Sequence, residues 1–392
     1  MKTPLLIGGA TTSEIHAAVK IAAAYSNTVV HVKDASKAAG VLSSLIRSEN
    51  SAFAEEMKEK YDKLRETYNL KQSDKTLISL AEARDNKFKT DWENYFPPIP
   101  VKQGLHVLHN VDLKEVSELI DWTFFFFAWK LSGKYPDIFD NPVKGKEAKK
   151  LFSDAQEYLR IIIDKKLIEL KAVFGLYPAA AVDDGVKIFS NSDNKTQISE
   201  LTFLRNQEQK EQGVPNLSLA DFIAPEASGI EDYIGVFTVT AKVTGNEFSD
   251  DDYSTLMLRI IGDRFAEAAA EWLHFKVRTE YWGYTENENL TVDDILKGKY
   301  RGIRPAPGYP ACPDHTEKRI IFDLLEAEKN IEAALTENFA IIPASAVCGY
   351  FFSHPEAKYF NIGKIDCEQL ADYAKRKNFT NEEAKKWLIT NI

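Results

Sequence analysis

Four prolines, two glycines and two arginines fall within fifteen residues of this chain, Arg301-Gly-Ile-Arg-Pro-Ala-Pro-Gly-Tyr-Pro-Ala-Cys-Pro-Asp-His315. Proline fixes φ and offers no backbone N–H, so Pro305, Pro307, Pro310 and Pro313 exclude a helix interior or a central strand. What remains is a stiff extended loop, bent where glycine permits it, at Gly302 and Gly308. Such a loop has lost much of its freedom before folding begins, so it can hold Arg304 and Tyr309 in place at low entropic cost. Arg304 offers a planar fork of donors suited to a carboxylate, and Tyr309 a π-face suited to a cation. A ligand with an amino-acid carboxylate and a positive centre fits that pair. The plainer alternative is a rigid connector whose arginine makes a surface ion pair. An apolar-periodic helix (Ile320, Ile321, Leu324, Leu325) follows directly.

The 392 residues, 44% of them hydrophobic, can build a sizeable core in two domains or one large one. A formal net charge of −10 argues against general binding to nucleic acid or to an anionic membrane, since both require a basic field. No apolar run approaches the roughly 20 residues of a membrane span, and the N-terminus lacks the layout of a signal peptide. Cys312, Cys348 and Cys367 are an odd number in a long chain and suit a reducing, cytoplasmic setting rather than a disulfide scaffold.

Residues 4–13 read as a buried strand, a glycine turn at Gly8-Gly9 and a helix capped by Ser13 that runs to about Tyr25. Residues 28–32 form a second strand and 35–45 a second helix, a Rossmann-like βαβα pattern too short to stand alone as a doubly wound domain. Phe53, Met57, Tyr61, Leu64 and Tyr68 recur at helical spacing in a charged linker helix. The polar run after it sets a boundary between residues 1–69 and 70–392. Beyond it, helices are expected at 113–119, 146–167 and 251–281. Strands are expected at 171–177 and 186–189 around an Asp183-Asp-Gly185 turn, at 232–243, and as a pair at 347–352 and 359–365. Two helices close the chain from Asp366. This irregular interleaving favours an α+β class, with a curved, mainly antiparallel sheet and flanking helices after the truncated βαβα segment.

Several side chains carry candidate chemistry. Asp121 precedes an aromatic run and reads as a helix cap. Asp263, Glu267 and Glu271 share one helix face at i, i+4 and i+8, which is ordinarily a solvated stripe. Glu271-Trp-Leu-His274 has the Glu-x-x-His spacing of di-iron bundles, but those need a second copy and further glutamates, so metal binding is rejected. Tyr359 and Phe360 read as strand aromatics. Cys312 lacks an identifiable base and reads as a packed thiol. There is no Gly-x-Gly-x-x-Gly, P-loop or Cys-x-x-Cys motif.

The run Arg304-Pro-Ala-Pro-Gly-Tyr-Pro-Ala-Cys-Pro-Asp-His-Thr-Glu-Lys318 resembles the S-adenosylmethionine loop in the activation domain of cobalamin-dependent methionine synthases. Ile120-Asp-Trp-Thr123, Leu131-Ser-Gly-Lys-Tyr-Pro136, Ala220-Asp-Phe-Ile-Ala-Pro225 and Asp232-Tyr-Ile-Gly235 resemble the same domain in the same order. So do Tyr281-Trp-Gly-Tyr284, Asn287-Glu-Asn-Leu290 and Phe352-Ser-His-Pro355. The resemblance implies an S-adenosylmethionine site at Asp121, Arg304, Tyr309, Tyr359 and Phe360, with Asp121 on the ligand's ammonium or hydroxyls and Arg304 on its carboxylate. The first 45 or so residues resemble the end of the family's cobalamin-binding domain, where Gly8, Gly9 and the Asp34-Ala35-Ser36 turn would lie beside the cobalamin nucleotide tail. Asp263 and Glu267 match positions that face the cobalamin domain. The family's axial histidine comes from an Asp-x-His-x-x-Gly motif that these residues lack, so little independent cobalamin affinity is expected.

The function so implied is to bind S-adenosylmethionine and present its methyl to cob(I)alamin during reductive reactivation of cob(II)alamin, with a flavodoxin-type electron donor. The cofactor's cobalt is then the nucleophile, and no catalytic residue is required of the chain. Methionine synthesis is not expected of this chain by itself, because the family's homocysteine and methyltetrahydrofolate sites lie in other domains. The rival from another class is a non-catalytic docking module for the cobalamin domain and the electron donor. A self-contained methyltransferase is disfavoured by the missing glycine-rich loop. Met1-Lys-Thr3 directly ahead of a strand suggests a chain cut from a longer protein.

Overall fold

The structure is a computed structural model and describes residues 3–8, 13–32, 38–46, 50–73, 76–190, 196–244, 251–286 and 288–392. The chain divides into two units, Met1–Leu77 and Ile78–Ile392.

In the first unit, β1 (Leu5–Gly8) leads to α1 (Glu14–His16), which continues as a π-turn over Ala17–Ile21; β2 (Val29–Val32), α2 (Ala38–Ile46) and α3 (Asn50–Ser73) follow. Ser13 caps α1 by accepting the His16 N–H, and β1 pairs with β2 in parallel. A small core of Ala17, Ala18, Val29, Val30, Leu45, Met57 and Tyr61 holds the unit together. The Tyr61 hydroxyl, on α3, accepts the His31 backbone N–H at 2.7 Å and so ties the helix to β2. The expected burial of the first strand is only partial, with Leu5 38% exposed. In a two-stranded sheet each strand lies at an edge, and covering both faces takes more elements than the described residues of this unit form. The linker helix does not stop at residue 69 but runs to Ser73, because Leu70, Lys71 and Gln72 are good helix formers and nothing there breaks the pattern. Gly9 and Ala35 lie outside the described residues; Gly8 closes β1, opposite Val32.

The second unit opens with α4 (Leu80–Asp85), β3 (Gly104–Leu108), α5 (Leu113–Ser117), α6 (Trp122–Ala128) and α7 (Gly145–Lys165). Then come β4 (Ile168–Val182), β5 (Gly185–Phe189), β6 (Gln197–Thr202), β7 (Asp232–Val243), α8 (Asp252–Lys276) and α9 (Val292–Leu296). The C-terminal part holds α10 (Glu317–Leu325), α11 (Ala327–Ile331), a small pair β8 (Ala334–Leu335) and β9 (Ile341–Ile342), β10 (Ala346–Phe351), α12 (Cys367–Lys377) and α13 (Asn381–Trp387). The main sheet is antiparallel in the order β10-β7-β4-β5-β6. One edge of the long β4 serves β3 along Ala172–Leu176 and β5 along Ala179–Val182.

Alternation along the two central strands places Phe174, Leu176, Phe237 and Val239 in one core, beneath α5–α8. Val173, Ile234 and Val236 enter another core with Phe203, Ile321 and Tyr350. Both faces are therefore buried, which is why Ala172–Ala180 reads as a nearly unbroken apolar run. The strand expected at 359–365 does not form. That segment is fixed by single bonds instead: Asn206 Nδ2 donates to the carbonyls of Asn361 and Ile362, and Ile362 N–H donates to Pro310. A proline-rich neighbour offers too few N–H groups to build a ladder. Among the described residues, no helix is long and apolar enough to cross a membrane.

Candidate functional site

The proline loop begins as an extension of the sheet edge. Ile303 and Phe352 exchange backbone hydrogen bonds of 3.0 and 3.1 Å, and Tyr350 N–H donates to the Pro305 carbonyl at 2.9 Å. Pro305 can accept but not donate, so the pairing ends there. Gly302 and Gly308 take φ of 85° and 96°, the bends expected from sequence; a Cβ at Gly308 would lie 2.3 Å from the His315 ring. The loop's far end is anchored inward. Asp314 accepts from Thr316 N–H, Thr316 Oγ1 and Tyr373 Oη, and Glu317 is paired with Lys377 at 2.6 Å. Glu317, in the first turn of α10, is thus buried. Cys312 is buried too, and burial pushes its thiol well above the ordinary value, as suits a packed residue.

These anchors leave the middle of the loop facing α8. Arg304 Nη2 donates to Glu271 Oε2 at 2.7 Å, and the Arg304 backbone N–H donates to the Tyr359 hydroxyl at 2.9 Å. Burial works against the Arg304 charge, but the Glu271 carboxylate, followed by Tyr300 and Tyr359, holds the guanidinium above arginine's ordinary pKa. A cavity of about 440 Å³ opens here, walled by Asp121, Phe124, Glu267, Glu271, Arg304 and Tyr309 among others. A second, of about 260 Å³, shares Glu267, Arg304 and Tyr309 and adds Tyr359 and Phe360. The fold thus brings Asp121, Arg304, Tyr309, Tyr359 and Phe360 to two cavities with a common wall. The larger falls in the size range of small-molecule sites.

Some candidates have a second role, and one falls elsewhere. Asp121 is the cap of α6, its Oδ1 accepting the Thr123 N–H at 2.8 Å, and it lines the cavity as well. Asp263 does not line either cavity; its Oδ1 accepts from Ser345 Oγ. The acidic stripe on α8 is not the uniformly solvated face expected, since Glu267 is exposed while Glu271 is buried. The sequence reading did not assign Glu271 to the site, although the Glu-x-x-His spacing singled it out. Its partner in that motif, His274, is fully buried, stacked on Phe351 and edge-on to Tyr300. Burial, then Arg278 and Arg304, push the His274 imidazole well below its ordinary pKa, so it is neutral. Arg264, which lies 5.9 Å over the Phe124 ring and also lines the larger cavity, carried no signal in sequence. Three polar atoms of the cavity walls are buried without a partner: Arg304 Nε, Glu271 Oε1 and Arg264 Nε. Two unmet donors and an unmet acceptor beside one cavity are what a polar small molecule would complete.

The fold and groove define a class: an α+β domain whose sheet-edge loop and long helix enclose a charged small-molecule site. Residues 112–378 match the vitamin B12 dependent methionine synthase activation domain. This chain belongs to that family, and with it to a methyltransferase enzyme. It is similar to a crystal structure of the MetH reactivation domain bound to AdoHcy, with 42% sequence identity and a TM-score of 0.76 over 81% of this chain and 98% of that one.

Proposed function

We propose that the groove binds S-adenosylmethionine and presents its methyl group to cobalamin carried by the cobalamin-binding domain of the same enzyme, during reductive reactivation. The observation that carries this reading is the pair of half-buried Arg304 and buried Glu271, with its unmet donor and acceptor beside the cavity. The AdoHcy on the similar MetH domain, the demethylated form of the proposed ligand, supports it. In this reading Arg304 takes the ligand carboxylate, Tyr309 lies beside the sulfonium, Asp121 meets ammonium or hydroxyls, and Tyr359 and Phe360 form the wall of the smaller cavity. Cobalamin, when bound, supplies the cobalt that accepts the methyl. The chain's residues hold the donor in one orientation, which is a large part of catalysis when two reactants must meet in line. A sulfonium that loses its methyl leaves as a neutral thioether, so no proton has to be moved and no catalytic residue is assigned.

The unit ending at Leu77 is read as the end of the cobalamin-binding domain plus its linker helix, with the activation domain following from Ile78. Gly8, Gly9 and Ala35 are assigned to the cobalamin nucleotide tail, and Asp263 and Glu267 to docking of the cobalamin domain. A flavodoxin-type donor and a cytoplasmic setting complete the proposal, in which this chain by itself does not synthesise methionine.

Calorimetric titration of S-adenosylmethionine and AdoHcy into the chain and into Arg304→Ala tests the reading. Saturable binding that the substitution weakens by about 10- to 100-fold is expected for the loss of a charge-assisted hydrogen bond. No binding to either protein would put the docking-only alternative ahead. Binding that survives the substitution unchanged would keep the function and remove the carboxylate role of Arg304.

A further inference from the structure

The ion pair at the centre of the groove is only half used. Glu271 Oε2 holds Arg304, while Glu271 Oε1 has no partner, although the residue is only 8% exposed. An unmet charged acceptor in the interior is destabilising, so such an atom persists where something else completes it. The unmet Arg304 Nε–H beside it has the opposite sense. An acceptor and a donor on adjoining groups match the two ends of a zwitterion, an ammonium and a carboxylate on one carbon.

Three carboxylates line the larger cavity, and their surroundings differ. Glu267 is exposed. Asp121 is half-buried and spends one oxygen on capping α6. Glu271 is the buried one, with one oxygen fixed and the other unmet. A charged contact is worth most where water is excluded and where the acceptor is already oriented. Resting on the reading that the groove takes an S-adenosyl amino acid, we infer that Glu271 recognises the α-ammonium group, its Oε1 accepting from the ammonium while Oε2 keeps Arg304 aligned for the carboxylate. Asp121 is then left for the sugar hydroxyls. The amino-acid end of the ligand is read by one buried pair, each member orienting the other, and the site selects an α-amino acid over a simple thioether nucleoside.

The experiment compares AdoHcy with its des-amino analogue, in which hydrogen replaces the α-amino group, by calorimetry on the full chain. Wild type is expected to bind the analogue about tenfold or more weakly, the loss of one charge-assisted hydrogen bond. Glu271→Gln is expected to weaken AdoHcy by a similar factor and the analogue by less than about threefold, so that discrimination collapses. Equal losses for both ligands would overturn the inference and leave Glu271 as a positioning residue for Arg304. Equal affinity of wild type for both ligands would also overturn it, and needs no variant. Because Glu271→Gln strands a buried guanidinium, Glu271→Gln/Arg304→Gln is the companion; discrimination retained there would again count against it. Failure of AdoHcy to bind wild type would sink the groove reading itself, whereas binding without discrimination sinks only the role of Glu271.

Discussion

Two ion pairs, each with a buried glutamate, hold the proline loop and the helix start just after it, and they are built to different standards. Glu317–Lys377 closes at 2.6 Å with side chains 0% and 8% exposed; Glu271–Arg304 closes at 2.7 Å with side chains 11% and 14% exposed. Around Glu317 both carboxylate oxygens are engaged, one by Lys377 and the other by Thr202 N–H and Tyr350 Oη. Around Glu271 and Arg304 one atom on each side is left over. The Arg205 cluster deeper in the fold follows the first pattern, its guanidinium shared between Asp184, Asp221 and the Asn216 carbonyl. A saturated buried pair has nothing left to offer a ligand and serves to fix the chain. An unsaturated one, beside a cavity, is unfinished until something binds.

The comparison breaks most visibly if the saturated side proves dispensable. Lys377→Met leaves Glu317 buried without its cation, and removal of one partner of a buried pair costs about 3–5 kcal/mol. Urea unfolding should show a loss of that size, while AdoHcy affinity of the folded protein stays within about threefold, since Lys377 lines neither cavity. Unchanged stability, or affinity lost together with stability, would erase the distinction between clamp and site.

A somewhat smaller effect separates hydrogen-bond saturation from charge compensation. Asp232 accepts from the backbone N–H groups of Ala224 and Tyr233, yet no cation pairs with it among the described residues. Burial, only partly offset by those two bonds, pushes its carboxyl up to about 7. A folded-state pKa above the unfolded one means the native state binds the proton more tightly. Stability from this group is therefore fully present below about pH 4 and is lost as pH rises towards and through about 7, by up to about 4 kcal/mol. Asp232→Asn should remove that slope, and the difference between the two proteins' unfolding free energies across pH 5–8 is the measurement. A constant difference would mean that the carboxyl is ionised throughout.

The same contrast marks what sequence could and could not say. The proline loop, its glycine bends, the turn at Asp183-Asp-Gly185 and the long strand 232–243 are local consequences of proline, glycine and alternation, and they stand where those rules put them. The strand expected at 359–365 failed because pairing is a property of the neighbour, and the neighbour here is rich in proline. Arg304, Tyr309, Asp121, Tyr359 and Phe360 could be nominated from motifs. That they line two adjoining cavities depends on α6, the loop and the segment after β10 converging, which no local pattern encodes. Glu271 shows the limit plainly. Its spacing with Asp263 and Glu267 at i, i+4 and i+8 suggested a solvated face, and only the position of the loop over the C-terminal half of α8 turned one glutamate of that face inward. Burial is a tertiary fact, and periodicity alone cannot rank three carboxylates on one stripe.

The smallest expected effect concerns the part of the groove that needs no completing. Tyr309 is 57% exposed, and its ring asks nothing of a ligand except a charge to face. A cation over an exposed ring gains about 0.5–1 kcal/mol, so Tyr309→Ala should weaken S-adenosylmethionine by about two- to fivefold. AdoHcy has no sulfonium charge and should lose less, so the ratio of the two affinities is the sensitive quantity. Tyr309→Phe keeps the π-face and should keep the ratio. If alanine lowers both ligands equally, Tyr309 is a wall of the cavity rather than a partner for the sulfonium. Selectivity for the charged donor over its spent form would then have to come from the carboxylates, with Glu267, the exposed one shared by both cavities, the first to substitute.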